Sequence, residues 1–284
     1  MLTEDIRIEV AGIELAAKQW GSADKPAIIA LHGWLDNAAS YDRLAPYLAD
    51  YRVIALDFAG HGYSGYRPSG VRYHMLDNVD DVIGLADALG LDQFMLMGHS
   101  MGAGIATYTA ASFHDRISKL VLIEGIGTMV APPLEAPKVL RTSVDEMKRA
   151  GAKRKPIYEA REEAIEARAQ AIGGISVDAS TILCSRGLEK VENGFTWRSD
   201  SRLTMSSIFR MTEELVQGFL VALDMPVLLV RGEQSFVART NTMQERAKHV
   251  ADCRVISLPG NHHLHLEAES YQAVGDAIKS FLAP

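Results

Sequence analysis

The chain has 284 residues, nearly half of them apolar, with a formal net charge of −7 and a mean hydropathy of zero. That is enough for one large core, or for a core carrying an inserted subdomain. The negative charge argues against nucleic acid or an anionic membrane surface as the main partner, and no apolar run approaches the roughly 20 residues needed to span a bilayer.

The start, Met1-Leu2-Thr3-Glu4-Asp5, is acidic and lacks the cationic and apolar regions of a signal peptide. Cys184 and Cys253 lie far apart without metal-ligand spacing, as expected for buried thiols in a reducing compartment. A cytoplasmic location is therefore expected.

In chain order, Ile6–Val10 alternates strictly and Ile13–Trp20 follows after Ala11-Gly12, which predicts an antiparallel hairpin at a sheet edge. Ala27–Leu31 is a continuous apolar run suited to a central strand and ends in His32-Gly33-Trp34. A helix capped by Ser40 is expected over 40–49. Arg52–Leu56 is the next buried strand, followed by Asp57-Phe58-Ala59-Gly60-His61-Gly62-Tyr63-Ser64. Val79, Val82, Ile83, Leu85, Ala86 and Leu89 have helical spacing, closed by Gly90.

Next, Phe94–Met97 runs into Gly98-His99-Ser100-Met101-Gly102, and Lys119–Ile123 is a further strand. Alternating strands and helices imply a parallel sheet with helices on both faces, whose ligands bind beyond the carboxyl ends of the strands. His32-Gly33-Trp34, Asp57, Ser100 and Glu124 all fall at those ends.

From Gly125 to about Leu223 no long buried strand is visible. Charge-rich helical stretches such as 156–172 replace it, and Met205, Ile208, Met211, Leu215 and Phe219 form an apolar stripe on a later helix. About a hundred residues is far longer than an ordinary crossover, so 125–224 is expected to be a helical cap inserted into a core of 1–124 and 225–284. The sheet resumes at Pro226–Val230 and Arg254–Leu258, and an amphipathic helix over 269–282 closes the chain.

Gly98 and Gly102 flank Ser100 as a sharp strand-to-helix turn requires, leaving the hydroxyl exposed at the tip. Serine needs a base within hydrogen-bond reach. In such a sheet the order is serine, acid, histidine, and His262 follows the last strand directly after Pro259-Gly260-Asn261. His265 is expected to orient the loop and His263 to be exposed. His32 and His61 are expected to bond loop backbone, and Asp57 to fix the turn through Gly60 and Gly62.

The acid that holds the imidazole comes from one of two strand ends, with Glu124 preferred and Glu233 the alternative. Positions 234–236, where an acid beyond Glu233 would fall, are Gln234, Ser235 and Phe236. The backbone N–H groups of Met101 and Trp34 are the expected oxyanion donors, which leaves the Trp34 side chain to wall an acyl pocket.

With these residues in place the chain resembles the α/β-hydrolase superfamily over nearly its whole length. The landmarks are Leu31–Ala38, Asp57–Ser64 and Gly98–Gly102. Within it, the stretches 32–38, 190–203 and Pro259–His262 are similar to the serine hydrolase-like proteins. The resemblance implies an eight-stranded, mostly parallel sheet with a helical lid between strands six and seven, and it implies an acid at the position of Glu124. Haloalkane dehalogenases and epoxide hydrolases share this fold but use an aspartate where Ser100 stands.

The expected function is hydrolysis of a carboxylic ester, thioester or lactone of a small-to-medium hydrophobic substrate through an acyl-enzyme on Ser100. C–C bond hydrolysis or perhydrolysis on the same triad is the alternative, and a non-catalytic binding module of the same fold is a third reading. No metal and no organic cofactor is implied, and the expected state is a monomer or homodimer.

Overall fold

The computed structural model describes residues 3–149, 154–171 and 173–283. The readings above extend to Met1, Leu2, 150–153, Ile172 and Pro284, which lie outside the described residues. The main sheet begins with β1 (Thr3–Val10), β2 (Ile13–Trp20), β3 (Ala27–Leu31), β4 (Arg52–Asp57), β5 (Phe94–His99) and β6 (Ile117–Ile123). A small hairpin, β7 (Leu188–Val191) and β8 (Gly194–Trp197), stands apart before β9 (Val227–Gly232) and β10 (Cys253–Leu258) complete the main sheet.

The helices α1 (Leu44–Tyr47), α2 (Asp77–Ala88) and α3 (Met101–Ser112) precede β6. Between β6 and β9 lie α4 (Ala136–Lys148), α5 (Arg161–Ala169), α6 (Val177–Gly187) and α7 (Glu213–Val221), and α8 (Thr242–Ala247) and α9 (Tyr271–Leu282) follow. Strand order in the eight-stranded sheet is β1-β2-β4-β3-β5-β6-β9-β10. Within it β2 runs antiparallel to both its neighbours, β1 and β4, and the other pairings are parallel. The expected edge hairpin is therefore β1–β2, turned by Ala11 and Gly12 at positive φ.

The continuous apolar runs are buried because both sheet faces are covered. Alternate residues divide cleanly between two cores. Ile29, Leu31, Leu96, Leu120 and Leu229 pack with α2, α3 and α7, while Ile28, Ala30, Met97, Val121 and Leu228 pack with α1 and α9. No helix among the described residues is long and apolar enough to cross a membrane.

Three local expectations are corrected. The segment 40–49 is not one helix capped by Ser40. A 3-10 turn, Ala38–Tyr41, is capped by the Asn37 side chain accepting from the Ala39 N–H, and the single helical turn α1 follows. The Ser40 hydroxyl pairs instead with His265, at 2.9 Å.

The stripe from Met205 to Phe219 is not one helical face either. The helix starts only at Glu213, after its cap Thr212, and turns Val216 and Leu220 inward while Leu215 is exposed. The stretch 125–224 is also not purely helical, since it contains the β7–β8 hairpin around Glu192-Asn193.

One buried ion pair ties α6 to the sheet. Arg186 Nε donates to Asp57 Oδ2 at 2.7 Å, and Asp57 also accepts from the backbone N–H groups of Ala38 and Tyr63. Asp57 thus fixes its own turn, as expected. A Cβ on Gly62 would lie 2.3 Å from its carboxylate, which is why that turn needs glycine.

Candidate active site

β5 ends at His99 and α3 begins at Met101, so Ser100 makes the whole turn with φ +52° and ψ −113°. That conformation is strained for a residue with a side chain, by about 1–3 kcal/mol. It is held by the Ser100 N–H donating to Ile123 O at 2.9 Å and by close packing of the flanking glycines. A Cβ on Gly98 would lie 2.3 Å from Gly102 O, and one on Gly102 would lie 2.1 Å from Leu31 O.

Ser100 Oγ lies 2.9 Å from His262 Nε2, and His262 Nδ1 lies 3.0 Å from Glu124 Oε2. Glu124 is buried, directly beyond β6, and like Ser100 has a positive φ, +56°. Its Oε1 accepts from the Gly232 N–H at 2.6 Å, and its Oε2 accepts from the Ser235 hydroxyl. Glu233 is exposed on the rim and its side chain bonds neither histidine nor serine among the described residues. Of the two expected acids, the fold brings Glu124 to the histidine and leaves Glu233 outside. Ser235 stands where the sequence lacks a carboxylate, and its hydroxyl serves the carboxylate on the neighbouring strand.

The Trp34 and Met101 N–H groups carry no intramolecular acceptor among the described residues. Met101 owes this to its place in the first turn of α3, where helix N–H groups have no partner. Trp34 sits in a turn closed by the Asp36 N–H on Gly33 O, at 3.1 Å. The indole of Trp34 is not simply a pocket wall. Its Nε1–H donates to Leu203 O at 2.9 Å and so ties this loop to the inserted segment. The ring of Phe236 lies 4.7 Å from that of His262 and covers it.

The other five buried histidines, His32, His61, His99, His263 and His265, pack around the site. His32 Nδ1 donates to Gly33 O at 2.7 Å and its Nε2 accepts from the Phe58 N–H at 3.2 Å. His61 Nε2 faces the Leu35 N–H and its Nδ1 faces Ala59 O. His99 Nε2 donates to His262 O at 2.8 Å. His263, expected to be exposed, is buried, with Nε2 3.1 Å from Asp36 Oδ2. Asp36, 227 residues earlier on the loop after β3, draws it inward, and only the fold brings the two together.

Burial disfavours the charged form of His32, His61, His99 and His265. It lowers His32 to about 4 and both His61 and His265 to about 3, and it puts His99 well below its ordinary value. The unfolded chain takes up protons near pH 6.5 that the folded chain refuses, so stability is full above that pH and is lost as pH falls from 6.5 toward 4. Each such group contributes a slope of up to about 1.4 kcal/mol per pH unit. Urea midpoints are therefore expected to fall steeply between pH 6.5 and 4 and to stay level between pH 7 and 8. A flat profile across the acid range would contradict this account.

Residues 26–167, half of the chain, match the model of the alpha/beta hydrolase fold family. A serine hydrolase-like protein of Dictyostelium discoideum is 33% identical over 94% of this chain and 79% of its own length. The crystal structure of a hypothetical protein from Pseudomonas aeruginosa PAO1 superposes with a TM-score of 0.95 at 42% identity, covering 99% of this chain and 100% of that one. A thioesterase domain from the curacin biosynthetic pathway superposes with a TM-score of 0.87 at 25% identity, over 99% and 100% of the two chains. The chain belongs to the α/β-hydrolase fold family, in which it is similar to the serine hydrolase-like proteins.

Proposed function

We propose that this α/β hydrolase is a serine hydrolase of carboxylic esters or thioesters, working through an acyl-enzyme on Ser100. The observation that carries the reading is the unbroken chain of hydrogen bonds from Ser100 Oγ to His262 and on to Glu124, at 2.9 and 3.0 Å. His262 Nε2 takes the hydroxyl proton as Oγ attacks the carbonyl carbon. Glu124 keeps the imidazole in the Nδ1–H tautomer and stabilises the imidazolium.

The tetrahedral oxyanion is held by the N–H groups of Met101 and Trp34. Each such donor is worth about 3–4 kcal/mol in the transition state. His262 then returns the proton to the leaving alkoxide or thiolate, and water attacks the acyl-enzyme with His262 as base. The segment 125–224 serves as the lid of this core, and Trp34 and Phe236 make the near walls apolar, which suits a hydrophobic acyl or alcohol group. The similarity to a domain named as a thioesterase supports including thioesters.

The test is a fluorophosphonate probe applied to the folded protein, with the adduct mapped by peptide mass spectrometry. Covalent labelling confined to Ser100 is expected. A folded protein that stays unlabelled would remove the basis for the reading.

A further inference from the structure

Asp36, His99 and His263 are all buried, and each offers one ligand atom within 4.8 Å of the others, a set with the chemistry of a cation site. A side-chain cation already engages two of these three groups. Arg168 Nη2, from α5, lies 2.6 Å from Asp36 Oδ1 and 3.4 Å from His263 Nε2. A second cation beside that guanidinium would be repelled at short range in a weakly screened interior.

The arginine therefore does the work of the ion. Burial pushes the Asp36 carboxyl up, but Arg168, followed by His263, outweighs it and holds the group well below the usual carboxylate range. Both carboxylate oxygens are used, Oδ1 by Arg168 and Oδ2 by the Nε2–H of His263.

The two partners of this carboxylate lie on different parts of the site. Asp36 closes the turn that carries the Trp34 N–H. His263 follows the base directly, with its own N–H held by the Asn261 side chain at 2.8 Å, and His99 anchors the His262 carbonyl from below. Arg168 alone comes from the inserted segment.

We propose that Arg168 is a positioning residue that clamps the oxyanion loop to the base loop through Asp36 and His263, so that acyl transfer requires the inserted segment to be seated. The proposal rests on the serine hydrolase reading above. Arg168 Nη2 makes both contacts, and a guanidinium, more weakly hydrated than a lysine's ammonium, is the better cation for a buried ion pair.

The test compares wild type, Arg168→Met, Arg168→Lys and the double variant Arg168→Met with Asp36→Asn. Thermal midpoint, kcat and KM on p-nitrophenyl butyrate, and the rate of fluorophosphonate labelling are measured on each. Arg168→Met is expected to lower kcat and the labelling rate together by about 10–100-fold, as a misplacement of about 1 Å does, with KM within about twofold of wild type. Arg168→Lys should recover part of the loss. The double variant, which leaves no unpaired buried carboxylate, should regain the thermal midpoint without regaining kcat.

Recovery of kcat along with the midpoint would reduce Arg168 to a merely structural role and overturn the proposal. So would an unchanged kcat in folded Arg168→Met. A rise in KM on p-nitrophenyl butyrate with kcat unchanged would make Arg168 a substrate contact and overturn it equally. If Arg168→Met fails to fold, the lysine and double variants decide. A wild type that is neither labelled nor active on the ester fails the hydrolase reading itself, and that result is separate from any difference among the variants.

Discussion

Glu124→Gln is expected to lower kcat on p-nitrophenyl butyrate by about 10²–10⁴-fold, whereas Glu233→Gln should leave it unchanged. Every partner of the Glu124 carboxylate is a donor: the His262 Nδ1–H, the Gly232 N–H and the Ser235 hydroxyl. An amide at that position must turn its NH2 toward one of them, which breaks a bond or forces the wrong imidazole tautomer. It also removes the negative charge that stabilises the imidazolium in the transition state. Glu233 is exposed and makes no such bond, so its substitution touches nothing in the site. Steady-state kinetics on the two variants checks the contrast, and equal or reversed losses would overturn the assignment of the acid.

Gly102→Ala is expected to damage stability and rate together. The added Cβ would stand 2.1 Å from Leu31 O and 2.7 Å from His32 O, both backbone atoms leading into the Trp34 turn. Backbone cannot rotate aside as a long side chain can, so either α3 or the loop after β3 must move. Overpacking of this kind costs about 1–3 kcal/mol, which at about 2–4 °C per kcal/mol lowers the thermal midpoint by several degrees. The same displacement pulls the Trp34 N–H away from the carbonyl attacked by Ser100, so kcat should fall by about 10²-fold.

Gly218→Ala is the internal control. A Cβ there meets nothing within 4 Å in α7, and replacing glycine inside a helix is expected to be neutral or stabilising by up to about 1 kcal/mol. A Gly102→Ala enzyme with wild-type kcat and midpoint would mean that the elbow and the oxyanion loop are not packed as described.

Much of the site can be read along the chain because its signals are local. The glycines on either side of Ser100, the apolar run before it and the small residues after it state a strand-to-helix turn within nine residues. His262 is legible because it follows the final strand directly. Glu124 is legible as a carboxylate at a strand end, and the resemblance to the serine hydrolase-like proteins favours it over Glu233. The burial of the strands was legible too, since a run such as Ala27–Leu31 has no polar face to offer to water.

The errors came where a partner lay far away in sequence. The sequence around His263 predicts a surface residue, because its neighbours say nothing of Asp36, more than two hundred positions earlier. Ser235 looked like the absence of an acid and is instead a donor to one. The apolar stripe through Met205, Ile208 and Met211 has helical spacing, yet the helix starts only at Glu213, with Thr212 as its cap.

The sequence thus carries the sheet, its rim and the placing of Ser100 and His262 on that rim, because periodicity and tight-turn sterics act over a few residues. The tertiary structure alone decided which carboxylate reaches His262 and how the loop after β3 is tied to the loop after β10. Those are questions of distance between strand ends. Buried charge is tolerated only where a complementary group arrives from elsewhere in the fold, as Arg168 does for Asp36.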